Sequence, residues 1–105
     1  MLISNSKVAA GDIASLKLTN GDEIVGRLVS TDGEHYTISK PTLVVPSPQG
    51  IGLINALFSV DPQIDVQFAK IHVMVIAPTF DKLQQYYIQA TTGIQTVPAG
   101  SIQGV

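Results

Sequence analysis

The sequence predicts a mainly β protein: a small, strongly bent barrel of five antiparallel strands followed by a C-terminal helix. Three observations carry this expectation. Apolar and polar residues alternate on both sides of Asn20-Gly21. Short apolar runs punctuated by turn residues continue as far as Pro78, and from Thr79 the apolar period changes from two to that of a helix.

Each element follows from local chemistry. Residues 1–11 are small and polar around Leu2-Ile3, which predicts an arm or single turn leading into Gly11-Asp12. Leu16 and Leu18 share one face before Asn20-Gly21, and Ile24, Gly26 and Leu28 keep the period afterwards. This predicts a hairpin over 13–30 with a type I′ turn, since both turn residues tolerate positive φ. Gly26, inside the second run, marks a point where the strand bends or another backbone comes close. Asp32-Gly33 is a second tight turn. Tyr36, Ile38 and the run 42–45 form a third strand, broken by Pro41, which demotes that site to an edge or a bulge.

Beyond the turn cluster Pro46-Ser47-Pro48-Gln49-Gly50, the run 51–60 reads as a buried strand that Asp61-Pro62 interrupts or ends. Residues 64–68 alternate, and 73–76 form a continuous apolar strand closed by Pro78. In the helix, Thr79 is the expected N-cap, Asp81 favours the first turn, and Gly93 is the natural C′ residue. Phe80, Leu83 and Tyr87 form its apolar stripe, with Tyr86 at the margin. The expected organisation is one domain over 1–93, with the barrel over about 12–78 and the helix over about 79–92, and a flexible tail over 94–105.

Composition bounds the function. A chain of 105 residues holds one core, and one this small gains from assembly. Only 13% of its residues are charged, which suggests surface hidden between subunits. With no cysteine there are no disulfides, thiolate metal sites or cysteine nucleophiles. The net charge of -2 argues against a general nucleic-acid binder but leaves room for a local basic ring. No run reaches membrane-spanning length and no signal-peptide layout is present, so the default location is cytoplasmic.

Hydrolytic, nucleotide-loop and zinc-protease motifs are absent, so no enzyme activity is expected, and no metal or other cofactor. Asp32, Glu34 and His35 share one turn, which is more often a solvated loop than a metal site. Arg27, the only arginine, is expected in a rim contact or an ion pair.

The run 16–32, Leu-Lys-Leu-Thr-Asn-Gly-Asp-Glu-Ile-Val-Gly-Arg-Leu-Val-Ser-Thr-Asp, resembles the first signature of Sm-like (LSm) proteins, with Asn20, Gly21, Gly26, Leu28 and Asp32 on the pattern. Residues 66–78 resemble the apolar frame of the second signature. Together the two span about residues 14–78. Placing the helix after the last strand departs from the usual order, in which it precedes the first. Other small open barrels, SH3-like or OB, would share the hairpin but not the paired signatures.

The resemblance implies a homo-oligomeric ring of about five to seven subunits, joined head to tail through edge strands. Ile64, Val66, Phe68, Val73 and Val75 would form its interface. It also implies single-stranded RNA as a partner, at a site made of Asp32, Glu34, Tyr36, Lys70 and His72. The family's uridine pocket, however, has an aromatic where this chain has Glu34, an Asn where it has Tyr36 and an Arg where it has Ala69. Two functions are therefore expected: a ring that binds RNA weakly without strong uridine preference, or a ring that serves as a structural or protein-interaction module without RNA. This combination is similar to the divergent Sm-like proteins of tailed phages, which would place the protein in the host cytoplasm.

Overall fold

The computed structural model describes residues 7–92. The elements in chain order are β1 (Ile13–Leu18), β2 (Glu23–Thr31), β3 (His35–Ser47), β4 (Gly50–Asn55), β5 (Val66–Ala69), a short 3₁₀ turn (Lys70–His72), β6 (Val73–Pro78) and helix α1 (Asp81–Thr92). All pairings are antiparallel, in the order β4-β3-β2-β1-β6, with β5 also on β3. One edge of β3 is taken by β2, so β4 and β5 share the other. β4 covers residues 42–47 and β5 covers 35–38. Between them, residues 56–65 leave the ladder. The sheet is thus five strands wide, as expected, with two short strands filling one position.

The sheet is sharply bent, and hydrogen bonds show how far. The loops at the two ends of β2 both reach the 3₁₀ turn: Lys70 N–H donates to the Glu34 carbonyl at 2.8 Å, and Thr19 N–H donates to the His72 carbonyl at 2.9 Å. A straight strand of nine residues would hold its ends about 30 Å apart. β5 and β6 also lie at opposite edges of the sheet, yet only three residues separate them. Both facts require a sheet curled until its edges nearly meet.

The bend sits at Gly26. A Cβ there would collide with the Ile38 side chain and stand 3.2 Å from both Pro41 Cα and the Ser39 carbonyl oxygen, so only glycine admits this approach. The register jumps at the same place: Val25 pairs with Thr42 and Arg27 with Ser39, leaving Lys40-Pro41 opposite Gly26. Lys40 absorbs the extra length at φ 50°, an uncommon conformation for a residue with a side chain. Pro41, expected to break the third strand, therefore sits at a bulge inside one continuous strand of 13 residues.

Two apolar clusters lie on opposite faces of the sheet. Ala14, Leu16, Ile24, Leu28 and Ile38 fill the interior of the curl. Ile13 and Val25, on the alternate positions, pack against Leu83 and Tyr87 of α1. The helix thus covers the outer face of β1 and β2, which explains why neighbours in sequence there are buried together.

Several expectations need correction. Only Gly21 of the first hairpin loop has positive φ, so the loop is not type I′. Leu18 N–H and Gly21 N–H instead close a longer loop onto Asp22 and Leu18 carbonyls, and Asn20 Oδ1 accepts Asp22 N–H. The run 51–60 is strand only as far as Asn55 and is not buried, because β4 is an edge with one neighbour among the described residues. Strand structure in 64–68 starts at Val66. Before it, Asp61 holds a turn through Gln63 N–H and Ile64 N–H, which keeps Ile64 exposed and off the ladder. Thr79 does not cap the helix. Its buried hydroxyl pairs with Ser15 at 2.7 Å, and the helix begins two residues later. Phe80 is 61% exposed, so the buried stripe is Leu83 and Tyr87 alone. The first residues of the arm, Gly93 and the tail 94–105 lie outside the described residues.

Candidate functional site

Two turns meet at one end of the curl. The first joins β2 to β3. Asp32 Oδ1 accepts the N–H groups of Glu34 at 2.7 Å and His35 at 2.8 Å, and Asp32 N–H donates to the His35 carbonyl. This carboxylate is held below its usual pKa, chiefly by the Glu34 N–H, then by the His35 N–H, with a smaller contribution from the His35 charge. His35 Nδ1 lies 3.6 Å from the same oxygen, an exposed contact of small energetic weight. Asp32 therefore shapes the turn, and its charge is largely spent on the backbone.

The second turn is the 3₁₀ segment between β5 and β6. Lys70 N–H donates to Glu34 O, so the two turns are joined by backbone. β5 pairs with the start of β3, which sets Tyr36 opposite Phe68. The Lys70 ammonium consequently stands 5.0 Å from the centre of the Tyr36 ring, within cation–π reach. The structure thus brings Asp32, Glu34, Tyr36 and Lys70 together. His72 belongs to the same turn. It is exposed, and its carbonyl fixes the first hairpin loop through Thr19. Ile71, between them, is 82% exposed and is not among the site residues expected from the sequence. Its only signal was an apolar residue between two polar ones in a short connection.

The other residues singled out from sequence divide by strand. Val66 and Phe68 lie on β5, Val73 and Val75 on β6; Phe68 and Val73 pack against the interior cluster, while Val75 is exposed. β5 pairs only with β3, and β6 only with β1. Each keeps one edge of unpaired backbone groups among the described residues. Of the rim contact or ion pair expected for Arg27, the structure shows an exposed contact to backbone: Nη1 donates to the Gly11 carbonyl at 2.7 Å and holds the N-terminal turn.

A separate groove of about 320 Å³ runs between β4, the 56–65 segment and the end of α1, lined by Lys40, Ile54, Leu57, Ile64 and Ala90 among others. It shares no residue with the Tyr36–Lys70 site. Among the described residues, no three His, Cys, Asp or Glu side chains are grouped to hold a metal ion. No described helix is long and apolar enough to cross a membrane. Compared with known proteins, the chain matches no family model and no curated sequence.

Proposed function

We propose that this chain is the subunit of an Sm-like homo-oligomeric ring that binds single-stranded RNA weakly and without strong uridine preference. The observation that carries the reading is the junction of the β2–β3 turn with the 3₁₀ turn, where Tyr36 and Lys70 meet. These are the two turns that hold RNA in the family the sequence resembles. A ring repeats one lysine around a central opening, which concentrates positive charge inside an acidic protein. Glu34 in the same turn opposes phosphate, and a base stacked on Tyr36 contributes about 1–3 kcal/mol without reading sequence. With one lysine per subunit to meet phosphate, affinity is low and weakens as salt rises.

The test is fluorescence anisotropy with oligo-U and oligo-A at low and physiological salt. The expected result is weak binding of both at low salt, reduced several-fold by Lys70→Ala and by Tyr36→Ala. Tight, salt-resistant, uridine-selective binding would overturn the assignment of this site. A second reading, a ring that acts through protein contacts alone, is favoured by one detail. The Lys70 ammonium already occupies a face of Tyr36, so a base must displace it or stack opposite. Absence of RNA binding even at low salt selects that reading.

A further inference from the structure

The β3–β4 hairpin carries a feature that neither RNA binding nor a head-to-tail ring uses. From Pro41 to Val60 no residue is charged, in a chain with 14 charged residues elsewhere. β4 lies within that stretch and, among the described residues, pairs only with β3, so its other edge presents N–H and C=O groups with no described partner. Soluble proteins usually blunt such an edge with lysine, proline or a bulge. β4 has none of these: its sequence is Ile-Gly-Leu-Ile-Asn after Gly50, and its register with β3 runs from Asn55 to Gly50 without a shift. Ile51 and Ile54 are exposed on its two faces.

We infer that the free edge of β4 pairs antiparallel with β4 of a second copy, through a two-fold axis centred on Gly52. The chemistry selects a copy of the same chain. An uncharged edge meets itself without like-charge repulsion, and it offers a foreign partner no charge to recognise. An isologous contact satisfies the same backbone groups on both sides. A two-fold normal to the sheet places residues opposite each other only when they point to the same face. Centring on Gly52 sets Ile51 against Leu53 of the second copy, twice, and lays Ile54 over Gly50. This joint is separate from β5 and β6: it gives a dimer of single chains, or a doubled ring where a ring forms.

The protein has no cysteine, so one introduced thiol reports one contact. A Cβ at Gly52 meets only ordinary contacts, the nearest at 3.5 Å from Val45 Cγ2, so Gly52→Cys is compatible with the fold. Residues facing themselves across an antiparallel pair have Cα atoms about 4.5–5.5 Å apart, within the range of a disulfide. At Gln49, in the exposed turn, the same pairing separates the two copies by about 20 Å. Under mild oxidation the expected result is a covalent dimer from Gly52→Cys and none from Gln49→Cys. Ile51→Lys, at an exposed position, should halve the mass measured by light scattering with an unchanged circular dichroism spectrum. No cross-link from folded Gly52→Cys, equal cross-linking at both positions, or an unchanged mass for Ile51→Lys would overturn the inference. Loss of the ring through β6 variants, with the Gly52→Cys cross-link retained, leaves it standing.

Discussion

At the scale of single residues, the bulge at Gly26 and Lys40-Pro41 creates a problem that Tyr87 solves. A register jump leaves ladder groups without partners, and buried ones are costly. The Tyr87 hydroxyl accepts Arg27 N–H at 3.3 Å and lies 2.8 Å from the Ser39 carbonyl and 3.0 Å from that of Lys40. One phenol on the helix therefore pins both strands of the bulge. Tyr87→Phe keeps the packing and strands these groups, so it should cost about 1–3 kcal/mol by denaturant unfolding. Burial raises the Tyr87 pKa above its ordinary value, with the Arg27 N–H and charge opposing. The neutral form is thus favoured by folding. This stabilisation is complete below the unfolded pKa near 10 and is lost as pH rises through the folded value. Thermal midpoints taken from neutral to strongly alkaline pH should show the wild type converging on Tyr87→Phe above about pH 10; a constant gap would contradict this role. In the sequence Tyr87 is visible only as a member of an apolar stripe, because its hydrogen-bond partners lie 47 to 60 residues away.

At the scale of elements, α1 acts as a cover for the outer face of β1 and β2. Leu83 is the other buried residue of its inner face and packs with Ile13 and Val25. Leu83→Ala should cost about 2–5 kcal/mol, transfer and cavity terms together; a melting temperature within error of wild type would show that the helix is not docked there in solution. The elements were legible where local chemistry decides them. Alternation around Asn20-Gly21, Asp32 in its turn, Gly26 as the bend and the helical period after Pro78 all correspond to what forms. Two of the misreadings share a cause, which is that long-range placement decided the outcome. β4 resembles a buried strand because it is apolar, yet its edge position exposes it. Thr79 has the chemistry of a cap, but Ser15 lies close enough to take its hydroxyl. The meeting of Tyr36 with Lys70 was suggested by family resemblance alone, since the residues are far apart in sequence and only the β3–β5 pairing joins them.

At the scale of the whole molecule, the dominant fact is that a nearly closed curl stops short of closing. Among the described residues β6 and β5 each keep one unpaired edge, and Met74 and Val75 are 65% and 52% exposed on a strand with no charged residue. Such edges favour association, and in the proposed ring β6 of one subunit continues the sheet of the next at β5. A repeated head-to-tail contact either closes or grows without limit. A test must weaken this edge without harming the subunit. Val75 stands directly opposite Lys17 on β1, so Val75→Glu adds an opposite-charge cross-strand pair that supports the fold by about 0.2–1 kcal/mol. Between subunits the same carboxylate would be desolvated without a partner, which is costly. Val75→Glu should therefore melt at or above the temperature of an isolated wild-type subunit while its mass by light scattering falls to one chain, or to two where β4 edges still pair. A wild-type protein that is monomeric at micromolar concentration, or a Val75→Glu variant of unchanged mass, would remove β6 from the interface and the ring with it.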